Sequence, residues 1–353
     1  MTPEGVDGYT PAIGYNRAIM STLRIASLVP FATEIVCALG LEDSLVAVSH
    51  RCDYPPSVKN LPAVTAQTAL LDPHTETDPD GDPVAVPLSA SEIDAVVRAA
   101  SASGAPLYTI DTQKLRDLSP TLILTQGLCD VCAVSHVATL AVARELGDAA
   151  QVLDVSPTNI AAILDAIRMI GAATGADAAA EELVSETISR LESVKLQSAL
   201  SPKRPRTLLI EWPEPLFCAG HWSPELLAIA NATLAPWDTP GAPSRLLDWN
   251  DVLRFDPEVI VLAACGMDAE RGAWESTTLT DLPGWFDLPA VLSGDCYAVD
   301  GTAYFNRPSP RIADAAELLA TILHPETMQN PVPPYSVSRF PNESLKPHTD
   351  AGD

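Results

Sequence analysis

The stretch LILTQGLCDVCAVS, residues 122–135, sets the fold class: an apolar run enters a turn carrying two cysteines, and a helical pattern follows. Strand, turn and helix form the unit of an α/β protein, whose ligands lie at the carboxyl ends of the strands. The pattern recurs in SLVPFATE (27–34), SHRCDYPP (49–56) and AACGMD (263–268). Each places polar or thiol groups at the exit of an apolar strand, so the four turns together predict a cleft.

Outward from these turns, strands are expected over 24–28, 45–49, 107–110, 121–125 and 151–155, with helical patterns between them. One such helix opens with Ser89 and Glu92 in capping-box spacing and carries Ile93, Val96 and Val97 on one face. This argues for a largely parallel sheet covered by helices. Residues 72–87, with DPDGDP at their centre, have no apolar period and are predicted as a surface loop. Strands then stop. Helices are predicted over 158–170, closed by Gly171, and over 177–200, with Pro202 just past the end. A long helix between two α/β halves is a stiff connector, permitting small cleft movements rather than wide closure. Strands resume at 206–212, 259–264 and 296–299, and a last helix over 310–323 is expected to have Ser309 as its cap. The resulting division is an extension (1–22), an N-terminal α/β lobe (23–157), connector helices (158–202), a C-terminal α/β lobe (203–325) and a Pro-rich tail (326–353) expected to be disordered.

The chain of 353 residues is 47% hydrophobic, enough for an ample core. Its formal net charge of -25 argues against nucleic acid and anionic membranes, both of which need clustered Lys and Arg. No run approaches the ~20 apolar residues of a membrane span. The apolar stretch at 20–40 is interrupted by Pro30, Thr33 and Glu34, so it is read as strand, turn and helix rather than as a secretory signal. Seven cysteines without regular spacing do not form a disulfide framework and fit reduced thiols in a cytoplasm.

SLVPFATEIVCALG (27–40), CDYPP (52–56), the connector, EPLFCAGHW (214–222), DWNDVLRFDPEVIVLAACG (248–266) and RPSPRIADAAELLATIL (307–323), in that order, resemble the substrate-binding proteins of ABC importers for cobalamin and iron-siderophores, most of all the cobalamin-binding ones. The likeness spans residues 24–325. It implies an α/β fold of two Rossmann-like lobes joined by a long connector helix, with a corrinoid such as cobalamin held non-covalently in the cleft between them. It also implies delivery to an ABC permease and the periplasmic setting of exported family members, an alternative to the cytoplasmic location read from the N-terminus. A monomer with no catalytic cofactor is expected.

The ligand-facing turns are predicted at Pro30, Phe31 and Thr33; Cys52, Asp53 and Tyr54; Gln126, Gly127, Cys129 and Cys132; Trp212, Phe217, Gly220, His221 and Trp222; Cys265 and Gly266; and Tyr304, Phe305 and Arg307. The aromatics among them offer flat faces for a large planar ligand, and each also fits plain packing. Cys129 and Cys132 sit in Cys-x-x-Cys spacing at a helix start, which lowers a thiol pKa. They read as a redox dithiol, as half of a metal site completed by Cys52, Cys218, Cys265 or His221, or as turn lining without metal, the last being preferred. His221 and His50, at strand exits, are candidate axial ligands for a soft metal, with a hydrogen-bonding role inside the turn favoured. A thiol-dependent metal or redox protein is one alternative function. A ferric-siderophore binder is another, for which Arg51, Arg245 and Arg307 are the available cations. Nucleotide-binding, hydrolase and zinc-protease motifs are missing. Glu34 and Asp53 could face each other as an acid–base pair, but a carboxylate at the first turn of a helix more simply meets the dipole. The chain is therefore expected to bind rather than to catalyse.

Overall fold

The computed structural model describes residues 23–77, 82–127, 139, 141–142, 150–328 and 331–340. In the first half, strands β1 (Ile25–Ser27), β2 (Leu45–Val48), β3 (Thr65–Gln67), β4 (His74–Thr77), β5 (Pro83–Val86), β6 (Tyr108–Ile110), β7 (Leu122–Thr125) and β8 (Gln151–Asp154) alternate with helices α1 (Pro30–Ala38), α2 (Ala90–Ser103) and α3 (Thr112–Leu118). The parallel sheet runs β2-β1-β7-β8, with Ile25 beside both Leu45 and Leu122. Every residue of β1 and β7 is buried, which is why both read as unbroken apolar runs.

Two expectations change here. The strand at 107–110 exists, but β6 pairs antiparallel with β3 outside the main sheet. Among the described residues β3 is the one strand paired with it, and its half-exposed pattern follows. Within 72–87, where a loop was expected, the described residues carry two strands: β4 pairs antiparallel with β5, His74 opposite Val86. Their residues lie outside the core, so the ladder of backbone hydrogen bonds leaves no apolar period to read. The capping box opening α2 is present: Ser89 Oγ accepts from the Glu92 amide at 3.3 Å, and Glu92 accepts from the Ser89 amide at 2.8 Å.

Two helices form the connector, α4 (Ile160–Thr174) and α5 (Asp177–Ser198). Gly171 does not end α4, which runs on to Gly175 at φ 74°. A Cβ on Gly171 would lie 2.5 Å from the Ala180 Cβ, so glycine there lets α4 and α5 close on each other. Both helices are shared by the two lobes. Ile160 and Ile163 of α4 and Leu191 and Val194 of α5 sit in the C-terminal core, while Ile167, Ile170, Ala180 and Val184 sit in the N-terminal one. The 22 residues of α5 span about 33 Å at 1.5 Å each.

The second half contains β9 (Thr207–Trp212), β10 (Phe217–Cys218), α6 (Ser223–Ile229), β11 (Arg245–Leu246), α7 (Trp249–Phe255), β12 (Val259–Leu262), α8 (Ala269–Glu275), α9 (Pro289–Ser293), β13 (Cys296–Val299), α10 (Ile312–Leu323) and β14 (Val337–Arg339). The sheet order is β11-β10-β9-β12-β13-β14, parallel through β9, β12 and β13. The tail is thus not wholly disordered. β14 pairs antiparallel with β13, and Phe340 is buried with its ring 6.3 Å from that of Trp285. Edge pairing and one aromatic anchor outweigh the Pro-rich composition.

Candidate ligand cleft between the lobes

The carboxyl ends of both sheets meet around Arg307, on the segment joining β13 to α10. Its guanidinium, only 8% exposed, donates to Glu34 on α1 at 2.9 Å, to Asp53 after β2, and to the Arg51 carbonyl at 3.2 Å. Glu34, 2% exposed, also accepts from the Ser309 hydroxyl at 2.6 Å and from Arg311 at 3.3 Å. Burial pulls the Arg307 pKa down, and the bonds to Asp53 and Glu34 outweigh it, so the guanidinium stays charged. Arg311 lies between two rings, 4.2 Å from Tyr54 and 5.0 Å from Tyr304. Two carboxylates and two guanidinium groups from opposite lobes therefore neutralise one another at this junction. Ser309, expected to cap α10, spends its hydroxyl on Glu34; the residue preceding the helix is Arg311.

Several predicted ligand contacts are core residues instead. Phe31 and Cys52 pack in the N-terminal core, and Trp222 and Phe305 in the C-terminal one, where the Trp222 indole donates to the Phe305 carbonyl at 2.8 Å. Thr33 is fully buried, its hydroxyl 3.1 Å from the Cys52 sulfur. Arg307 is not a free cation for a ligand. These side chains sit at the right strand ends but point into the protein, a distinction that spacing alone does not carry.

Others line or border the junction. Tyr54 is 46% exposed, and Pro30, Asp53, Trp212, Phe217, Cys265 and Tyr304 are half-buried. The Trp212 indole donates to the Ala90 carbonyl of the other lobe at 3.2 Å. Gln126 is buried, and the Gly127 amide donates to Ser156 at 2.8 Å. Gly266 adopts φ 78°, a left-handed turn. Gly220 is required by crowding: a Cβ would sit 2.3 Å from the Ser244 backbone nitrogen. His221, at φ 54°, donates its amide to the Ala242 carbonyl at 2.6 Å and leaves Nδ1 buried without a partner. The His50 ring meets Thr65 at 2.7 Å, and burial, helped by Arg51, pushes its pKa down. Glu34 and Asp53 belong to one lobe and share Arg307, so they act as its counter-charges rather than as an acid–base pair. Sequence reasoning missed Arg311 as a site residue, although it lies four positions after Arg307 in the quoted RPSPR.

Cys129 and Cys132 lie outside the described residues. Among the described residues no three His, Cys, Asp or Glu side chains are placed to hold a metal ion. Burial pushes the Cys52 thiol up to about 11 and those of Cys37 and Cys296 up to about 12, and raises Cys218 as well. Metal ligation and alkylation both need the thiolate. At pH 8 these thiols stay protonated more fully than an exposed one, so Cys37, Cys52 and Cys296 should be alkylated by iodoacetamide far more slowly than a free thiol. Peptide mapping over time checks this; fast labelling of any of the three in the folded protein would contradict it.

Residues 25–303 match the model of the periplasmic binding protein family. The chain is 26% identical over 303 residues to the vitamin B12-binding protein of Vibrio cholerae, covering 85% of this chain and 88% of that one. It is 25% identical over 313 residues to the uncharacterized ABC transporter substrate-binding lipoprotein YvrC of Bacillus subtilis, covering 87% and 81%. Among solved structures, a periplasmic heme-binding protein of Pseudomonas aeruginosa superposes with a TM-score of 0.65 at 18% identity, covering 90% of this chain and 97% of that one. The periplasmic vitamin B12-binding protein BtuF of V. cholerae superposes at 0.56 with 24% identity, covering 85% and 96%. The cytoplasmic location expected from the N-terminus finds no support in these relatives, whose names place them in the periplasm or on a lipid anchor. Two α/β lobes bridged by shared helices and a match across most of the chain give one result: it belongs to the periplasmic binding protein family, the substrate-binding proteins of ABC transport.

Proposed function

We propose that the chain holds a corrinoid between its lobes and presents it to an ABC permease on the outer side of the cytoplasmic membrane. The observation that carries this choice of ligand is the charge balance at the lobe junction. A ferric siderophore or the propionates of a haem bring negative charge that a binding site must meet with free cations. Here Arg307 and Arg311 are committed to Glu34 and Asp53. Of the other candidate cations, Arg51 is exposed and its hydrogen bond to the neutral Gln67 at 3.3 Å leaves its charge available, a single cation near the junction, while Arg245 lies on the outer edge strand β11. A corrinoid, whose periphery is mostly neutral amides, asks for aromatic faces and hydrogen bonds instead, and Tyr54, Trp212, Phe217 and Tyr304 supply the faces. The relatives named for vitamin B12 support the same ligand; those named for heme make haem the competing one.

Calorimetric titration of the purified, reduced protein with cyanocobalamin, haem and a ferric siderophore decides among them. Saturable binding of cyanocobalamin at least tenfold tighter than haem is expected. Preference for haem or the siderophore would overturn the corrinoid and require that the Arg307 and Arg311 pairs rearrange. Metal analysis of the same sample tests the thiol alternative, which needs stoichiometric metal lost in a Cys129→Ser, Cys132→Ser double variant.

A further inference from the structure

A second set of contacts ties the lobes through different residues, at the first turn of α2. The Ser89–Glu92 capping box satisfies two donors at this helix start and leaves the Ala90 amide to find an acceptor elsewhere. It donates at 3.1 Å to Glu275 of α8, in the other lobe, a carboxylate that is 2% exposed and also bonded to Arg271. Arg271 reaches back across the gap to the Leu88 carbonyl at 2.7 Å. Ala90 is fully buried, but in the C-terminal core, and Ile93 packs there too. The Ala90 carbonyl accepts from the Trp212 indole N–H, so a residue predicted to meet the ligand is tied by its edge to the opposite lobe.

The element carrying these contacts is thinly held in its own lobe. Of the 14 residues of α2, only Ala90 and Ala100 are buried, and Ala90 is buried by the other lobe. The described strands β4 and β5 leading into it have no buried residue, and a His74–Glu92 contact at 3.0 Å joins them to the helix start. Segments with so few buried contacts open at low cost. We infer that the first turn of α2 is a latch that clasps α8, keeps the two lobes shut in the unliganded protein, and must release before a ligand reaches Trp212. Its effect on binding rests on the cleft function proposed above; its effect on lobe separation does not.

Ala90→Pro is the sharpest variant. Ala90 is the first helical residue, where proline is well accepted, and Ser89 at φ -64° and ψ 166° already has the backbone a residue before proline needs. The substitution removes the donor to Glu275 and leaves the capping box in place. Spin labels on bioorthogonal residues at exposed Lys59, beside Val58 of the N-terminal core, and Thr277 report the separation of the lobes without using the seven native cysteines. Without ligand, the variant should show a longer and broader distance than the parent. Stopped-flow mixing with cyanocobalamin should show association faster by about tenfold, because the open form is no longer a minor one. An unchanged distance overturns the latch, as does a lengthened distance with an unchanged association rate. If neither protein binds cyanocobalamin, the corrinoid assignment falls while the distance still decides whether the latch holds the lobes. Should Ala90→Pro lower the helix content, Arg271→Gln, which removes both the bond to Leu88 and the counter-charge of Glu275, weakens the clasp from the α8 side and gives the same two readouts.

Discussion

Glu34→Ala is expected to lower the stability of the folded chain by about 3–5 kcal/mol, the usual loss when one member of a buried, hydrogen-bonded charge network is deleted. Glu34 is 2% exposed and takes three bonds from the other lobe, from Arg307, Arg311 and Ser309. Without it Asp53 is the remaining counter-charge of the buried Arg307, and Asp53 is 44% exposed, so water screens the pair. Asp53→Asn should therefore cost much less, about 1 kcal/mol or below. Urea unfolding of the two variants and the parent, with equal slopes, measures both. If Glu34→Ala loses no more than Asp53→Asn, the lobes are held by the shared helices α4 and α5 and the ion network adds nothing measurable.

That network also marks the limit of what the linear sequence reveals. Strands buried on both faces, such as β1, β7 and β12, read directly as apolar runs, and the capping box of α2 was legible because its partners are three residues apart. Glu34 and Arg307 are 273 positions apart, and only the meeting of two sheets shows that each is the other's counter-charge. The turns at 27–34, 49–56 and 263–268 do follow strands, as read from the sequence, but the direction of each side chain within a turn depends on packing around it. Hence Tyr54 faces solvent beside Arg311 while Phe31 and Phe305 fill the cores. The strand pair β4–β5 and the strand β14 escaped for a different reason: their stability comes from backbone pairing, which leaves little hydrophobic trace.

The turn at 217–222 offers the second large effect. Gly220→Ala places a Cβ 2.3 Å from the Ser244 nitrogen, 2.6 Å from the Pro243 carbonyl carbon and 2.7 Å from the Ala242 oxygen. All three are backbone atoms, so no side chain can swing away, and one of the two loops must shift. Overpacking of this kind costs about 1–3 kcal/mol, and the shift breaks the short bond from the His221 amide to Ala242. Gly266→Ala is the control: its φ of 78° strains an alanine, but nothing lies within 4 Å of the added methyl, so the penalty is about 1 kcal/mol and local. If the turn forms one wall of the ligand cleft, Gly220→Ala should weaken corrinoid binding by about tenfold or more, a loss of ~1.4 kcal/mol, while Gly266→Ala changes it little. Thermal melts and titrations of the two variants separate the outcomes. A Gly220→Ala protein that melts earlier yet binds with parental affinity would place the ligand away from His221 and Phe217, against the walls built by Tyr54 and Tyr304.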